Sequence, residues 1–378
     1  MITDKPRVLI FSAAYYPWVG GAEVALKELT DRLSDYKWEL VTVNFDNSQT
    51  EQECIGNVLV HRLPGGLWGK YLFPWRAACW AARRHQETPY KLVWAMMANQ
   101  AGMAAAIFKK RLPVVPFLLT LQEGDDLGSL AYRLRLWGPR LLNVFKLPDR
   151  IQAISNYLVT WAKAMGATCP MTVIPNGVDL SKFKVQSSKS KKEEKRDAKI
   201  IITTSRLVKK NGIDDLIRSL TFLPDDVVLQ ILGDGPEKAA LKALVSKLGL
   251  GPRVSFLGLI ESSGLARYLG SADAFCRPSR SEGLGNSFLE AMAMGLPTIG
   301  TPVGGIPDFL RDGETGWLAR VDDPESIAEK AGYILDANNA AQIRSIIVAA
   351  QQLVKSEYNW DHLALRFRMV IDSLVQLD

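Results

Sequence analysis

Residues 280–310 read RSEGLGNSFLEAMAMGLPTIGTPVGGIPDFL, and the order of residue types in them decides how the rest of the chain is read. A carboxylate, Glu282, opens a glycine-rich run, Gly283, Leu284, Gly285. A short helix is expected next, with Asn286 suited to cap its start and Gly295, then Pro297, to stop it. Glu290 then falls in about the first helical turn, and seven residues separate the two carboxylates. Such a loop exposes backbone N–H groups beside the positive end of a helix dipole, which suits a phosphate. The carboxylates accept hydrogen bonds from the hydroxyls of a sugar or a ribose. Spacing alone does not separate this from an ordinary helix–strand connection, where Gly-x-Gly also occurs.

Other pieces stand in a fixed order around this stretch: VGGAE at 19–23, ISNYL at 154–158, VIPNGVD at 173–179, SRLVKKNG at 205–212 and GDGP at 233–236. With Glu282 and Glu290 they make most of the chain resemble the family-4 retaining glycosyltransferases, whose mark is Glu-x7-Glu. The resemblance implies an α/β chain of the GT-B fold, two Rossmann-like domains facing a central cleft, with a C-terminal helix crossing back. On that plan residues 1–180 form the acceptor-side domain and 181–199 a charged linker. Residues 200–357 form the donor-side domain, and 358–378 the helix that returns to the first.

The resemblance also assigns roles. Arg206 and Lys210 would neutralise the diphosphate of a nucleotide-sugar donor. Breaking the sugar–phosphate bond develops negative charge there, which fixed cations stabilise. Glu282 would accept the sugar's hydroxyls, which makes Glu282, Arg206 and Lys210 the catalytic candidates. Gly283, Leu284, Gly285, Asn286 and Ser287 would present amides to the donor, Glu290 would hold the ribose, Ile260 would read the base, and Gly233 and Gly21 would line the donor. No Asp-x-Asp stands where this fold would hold a metal, so no metal or other cofactor is expected. Relatives often carry a histidine after the strand FLLTL; here Gln122 takes that place, followed by Glu123 and Asp125. With Asn176 these are the acceptor-side candidates, and either acid could take a hydroxyl proton or be no more than a solvated loop acid.

At 378 residues the chain is long enough for two domains of similar size. Its 47% apolar and 23% charged content is that of a globular protein. A net charge of +6 fits an anionic ligand or an acidic membrane surface and is too diffuse to argue for nucleic acid. Cys54, Cys79, Cys169 and Cys276 are far apart, as are His61, His85 and His362, so a structural zinc is not expected. Lys5 and Arg7 ahead of VLIFSAA imitate a secretory signal, but a short apolar run leading into Gly20-Gly21 reads better as a first buried strand. Residues 92–108 fall short of a membrane span of about 20 residues and are interrupted by Asn99 and Gln100; strand then helix is expected.

Residues 62–111 carry nine Lys or Arg against the single acid Glu87, interleaved with Trp68, Tyr71, Phe73, Trp75 and Trp80. A second stretch, YRLRLWGPRLLNVFK at 132–146, repeats the mixture. Cations among aromatics suit a bilayer headgroup region or a large amphiphilic acceptor, and equally a core with a solvated face. The expected location is the cytoplasm, at the inner face of a membrane. The charged run 185–199 lacks apolar periodicity and reads as linker. A sugar-nucleotide epimerase, a phosphorylase or a non-catalytic membrane-associated relative would share this architecture and stay open here.

Overall fold

The computed structural model describes residues 5–18, 20–66, 69–125, 128, 143–183, 198–260 and 262–375. Trp68, most of the 132–146 stretch and residues 185–197 of the expected linker lie outside them. The chain forms two compact units, Met1–Asn176 with Trp360–Asp378, and Gly177–Asn359.

The first unit is built on an eight-stranded sheet. Its strands are β1 (Arg7–Phe11), β2 (Lys37–Asn44), β3 (Gln52–Ile55), β4 (Val58–Pro64), β5 (Leu92–Met96), β6 (Phe117–Leu121), β7 (Arg150–Ala153) and β8 (Met171–Val173), in the order β3-β4-β2-β1-β5-β6-β7-β8. All pairs are parallel except β3 with β4. The apolar run VLIF in β1 and the run FLLTL in β6, polar only at Thr120, are buried along their whole length, as strands covered on both faces must be. The helix Gly21–Arg32 begins at the Gly20-Gly21 turn, where Gly20 N–H donates to the Glu23 carboxylate at 2.8 Å. Ser155 caps the helix Asn156–Ala164, accepting from Leu158 N–H. The helix Trp360–Asp372 belongs to this unit: Phe367 lies 4.7 Å from Trp94, ring to ring, and Arg32 Nε donates to Asp361 at 2.7 Å.

The second unit carries a six-stranded, all-parallel sheet: β9 (Lys199–Thr204), β10 (Val227–Leu232), β11 (Val254–Gly258), β12 (Ala274–Cys276), β13 (Thr298–Gly300) and β14 (Trp317–Leu318), in the order β11-β10-β9-β12-β13-β14. Its core gathers Ile201, Leu229, Ile231 and Ile299 under Leu216, Leu241 and Ile327 from the covering helices. The helix expected after Gly285 spans Asn286–Ala293 and stops at Gly295. One detail differs: Asn286 is the first helical residue and not the cap. Gly285 holds the cap position at φ +95°, a left-handed backbone that a side chain would strain, and its carbonyl accepts from Phe288 N–H at 3.0 Å.

Candidate active site

In a parallel sheet every strand exits on the same edge, and loops there are the ones free to hold a ligand. In the second unit that edge gathers all the donor candidates of this half. Arg206 and Lys210 follow β9, Gly233 follows β10, and Ile260 follows β11. Glu282, Gly283, Leu284, Gly285, Asn286 and Ser287 follow β12, with Glu290 in the helix behind them. Gly304, after β13, closes the base of the loop: at φ +56°, a Cβ there would stand 1.7 Å from the Glu282 carbonyl. Only glycine lets these two loops touch.

Sequence reasoning missed a residue at the centre of this edge. Arg277 leaves β12 buried, with its guanidinium turned into the loop it starts. Nη1 donates to Ser287 Oγ at 2.9 Å, Nη2 donates to Asn211 Oδ1 at 3.2 Å, and Nη2 also pairs with Glu282 Oε2. The group lies 5.7 Å from the Phe288 ring centroid. Glu282 is buried, and its other oxygen accepts from Gly283 N–H at 3.2 Å. The carboxylate is therefore an oriented, charge-compensated acceptor. A lone arginine after a buried strand gives no periodic signal, and its partners stand up to 66 residues away.

Glu290 is half-buried, and loss of water raises its carboxyl to about 7, against the opposing pull of Arg277. Arg206 is exposed at the exit of β9, and among the described residues its guanidinium makes no ion pair. Its carbonyl accepts from Asn211 Nδ2 at 2.7 Å, which ties the strand exit to the turn Lys209–Asn211. The edge thus offers an uncommitted cation, a second cation on an anchored turn, helix-start amides and two carboxylates. That set suits a diphosphate joined to hydroxyl-bearing rings.

The first unit brings three of its candidates together. Asn176 Nδ2 donates to Gln122 Oε1 at 3.1 Å across the exits of β8 and β6. Glu123, next along, is 3% exposed; it accepts from Ala98 N–H, its Oε2 has no hydrogen-bond partner among the described residues, and burial raises its carboxyl to about 7. Asp125 is exposed on the same loop, and Gly21 stands at the exit of β1, two strands away in the sheet order.

Solved structures resemble the chain along nearly its whole length. Anabaena HepE, solved in complex with UDP-glucose, aligns at a TM-score of 0.78 and 20% identity over 97% of this chain and 99% of that one. The fold is GT-B. The family model for Glycosyltransferase Family 4 matches residues 19–182 and that for glycosyl transferases group 1 matches residues 185–371, so the chain is a glycosyltransferase and, more narrowly, belongs to glycosyltransferase family 4. Among curated relatives, N-acetyl-alpha-D-glucosaminyl L-malate synthase of Bacillus anthracis is 26% identical over 333 residues, 85% of this chain and 86% of that protein. The GDP-mannose-dependent alpha-(1-6)-phosphatidylinositol monomannoside mannosyltransferase of Mycolicibacterium smegmatis is 31% identical over 228 residues, 56% of this chain and 59% of that protein.

Proposed function

We propose that this protein is a retaining, metal-independent glycosyltransferase that moves a sugar from a nucleoside diphosphate onto a hydroxyl of a glycan or lipid-linked acceptor. The gathering of Arg206, Lys210, the 282–287 loop and Glu290 at one edge of the second sheet carries this reading. The diphosphate sits against the two cations and the helix-start amides, Glu282 receives sugar hydroxyls, Glu290 receives the ribose, and backbone near Ile260 and Gly233 borders the base. On the first unit, Gln122, Glu123, Asp125 and Asn176 take the acceptor side, and Gly21 lines the donor. The sugar–oxygen bond breaks, its electron pair stays on the leaving phosphate, and the acceptor oxygen bonds the anomeric carbon from the same face. Its proton passes to that phosphate. This route asks no histidine of position 122. Arg206 and Lys210 supply the charge that a divalent ion would otherwise bring.

A thermal-shift screen against UDP-, GDP-, ADP- and TDP-sugars tests the donor site. One nucleotide class is expected to raise the melting temperature by mass action, and Arg206→Ala and Glu290→Ala to abolish that rise. No shift with any of the four would remove the donor-site reading. With the donor known, the product's anomer is expected to match the donor's, and EDTA to leave the rate unchanged. An inverted product would refute retention.

The first unit supports an anionic membrane surface as partner. Tyr71, Leu72 and Trp75 are exposed on the helix Gly69–Glu87 beside Arg76, with Arg83 further along. Exposed Trp18 and Phe45 meet edge to face at 6.4 Å after β1 and β2. Aromatics flanked by cations fit a headgroup layer, which supports a cytoplasmic enzyme working at the inner face of a membrane. Among the described residues no helix is long and apolar enough to cross a membrane. Co-sedimentation is expected with vesicles of phosphatidylglycerol and phosphatidylcholine, and to be lost with phosphatidylcholine alone or in Trp75→Ser/Arg76→Glu. Equal binding to both vesicle types would remove the electrostatic part.

A further inference from the structure

Two arginines bracket the short run between β12 and Glu282, and the proposed chemistry uses neither. Arg280 is one quarter exposed, and its guanidinium is fully engaged. Nη1 donates to the Lys209 carbonyl at 2.7 Å and to Asp214 Oδ1 at 2.8 Å. Nη2 donates to Asp214 Oδ2 at 3.0 Å and to Asp215, and Nε donates to Asp322. Its backbone N–H donates to the Lys210 carbonyl at 2.6 Å. Three residues earlier, Arg277 reaches Asn211 of the same turn while pairing with Glu282 and Ser287.

These contacts converge on the backbone that carries the expected diphosphate cations. The Lys209 and Lys210 carbonyls are gripped by Arg280, and Asn211 is gripped by Arg277 while it grips the Arg206 carbonyl. At the other end the arginines belong to the loop of Glu282. We infer that Arg277 and Arg280 are positioning residues for the transfer, locking the turn Lys209–Asn211 to the 282–287 loop so that diphosphate and sugar contacts keep one spacing. This rests on the donor-site reading above. A lysine on a flexible stem stabilises a developing charge only if its anchor is fixed, and sub-ångström fixing is where orientation gives rate. Guanidinium suits the task because its planar fork holds three carboxylates and a carbonyl in set directions.

The test compares affinities for UDP and UMP, and for GDP and GMP, by calorimetry on the full chain. The wild type is expected to prefer the diphosphate, and Lys210→Ala to reduce that preference about tenfold. Arg280→Ala is expected to reduce it as much, with little change in monophosphate affinity. The double variant should fall no further, because Arg280 acts through the turn bearing Lys210. Arg280→Lys should not restore it. If Arg280 served folding alone, the melting temperature would drop while the folded protein kept its preference. That result, or additivity with Lys210→Ala, overturns the inference. Because removing Arg277 would strand a buried Glu282, Asn211→Ala reports on its part, and a wild-type preference there overturns it. A wild type without preference for the diphosphate, or unmoved by Arg206→Ala, refutes the donor-site reading itself, before any Arg280 variant is read.

Discussion

Arg206→Ala is expected to lower turnover about 10²–10³-fold, ~3–4 kcal/mol of transition-state stabilisation, while leaving the melting temperature of the ligand-free protein nearly unchanged. Three arginines stand at this edge of the second sheet. Arg277 is buried against Glu282, and Arg280 is spread over Asp214, Asp215 and Asp322. Arg206 alone of the three has a guanidinium not spent on carboxylates among the described residues, and it is exposed. Removing it costs folding roughly 0.5 kcal/mol or less, and it removes charge stabilisation just where a diphosphate would leave. Arg206→Lys should recover part of the rate, since a point charge replaces some of what the fork supplied. Steady-state kinetics with the donor identified by the thermal screen decide the matter. Turnover within threefold of wild type would count against the donor-site reading, which puts Arg206 at the leaving diphosphate.

The second expectation concerns protons. Glu123 and Glu290 both have carboxyls raised by burial from about 4.5 to about 7. In the unfolded chain they ionise near 4.5, so between pH 4.5 and 7 the folded state binds more protons than the unfolded one. Stability then falls as pH rises through that window, by on the order of 3 kcal/mol for each group at full effect. Asp215, raised to about 6, adds in the same direction. Glu39 is held at about 2: burial opposes its charge, but His61 at 3.7 Å and hydrogen bonds from Arg7 and Tyr90 outweigh that, so its contribution is already complete above pH 5. Denaturant melts at pH 5 and 7.5 should show the loss, and Glu123→Gln should remove part of it. A pH-independent wild type would sink the idea. Ligand binding should show the opposite slope. If ribose hydroxyls donate to Glu290, nucleotide affinity rises from pH 6 to 8 as that carboxyl ionises, and Glu290→Gln flattens the profile.

Much of the fold could be read from residue order because parallel strands announce themselves: VLIF, LVWAM and FLLTL are apolar without alternation, and each became a strand buried on both faces. The helix after Gly285 and its stop at Gly295 were legible from glycine placement. The cap at Gly285 was not, since Asn and Gly both serve as caps and only the backbone angle decides between them. The edge that gathers the donor candidates was visible as motifs, but its wiring was not. The bonds from Arg277 to Asn211 and from Asn176 to Gln122 span 66 and 54 residues. Pairing over such distances is set by strand order, which no local pattern encodes. The basic-aromatic run was legible only as composition; its exposed face, Tyr71, Leu72 and Trp75, became distinct from buried Phe73 once the helix was placed.

The helix Trp360–Asp372 closes a core that β1 opens. Trp38 and Trp94 lie under Leu363, Phe367 and Ile371, while every residue of the second unit falls between the two contributions. The second unit is one unbroken run, whereas the first is complete only once residues 360–375 close over Trp38 and Trp94. A chain cut after Asn359 would keep every residue of the second unit and leave two indoles of the first uncovered.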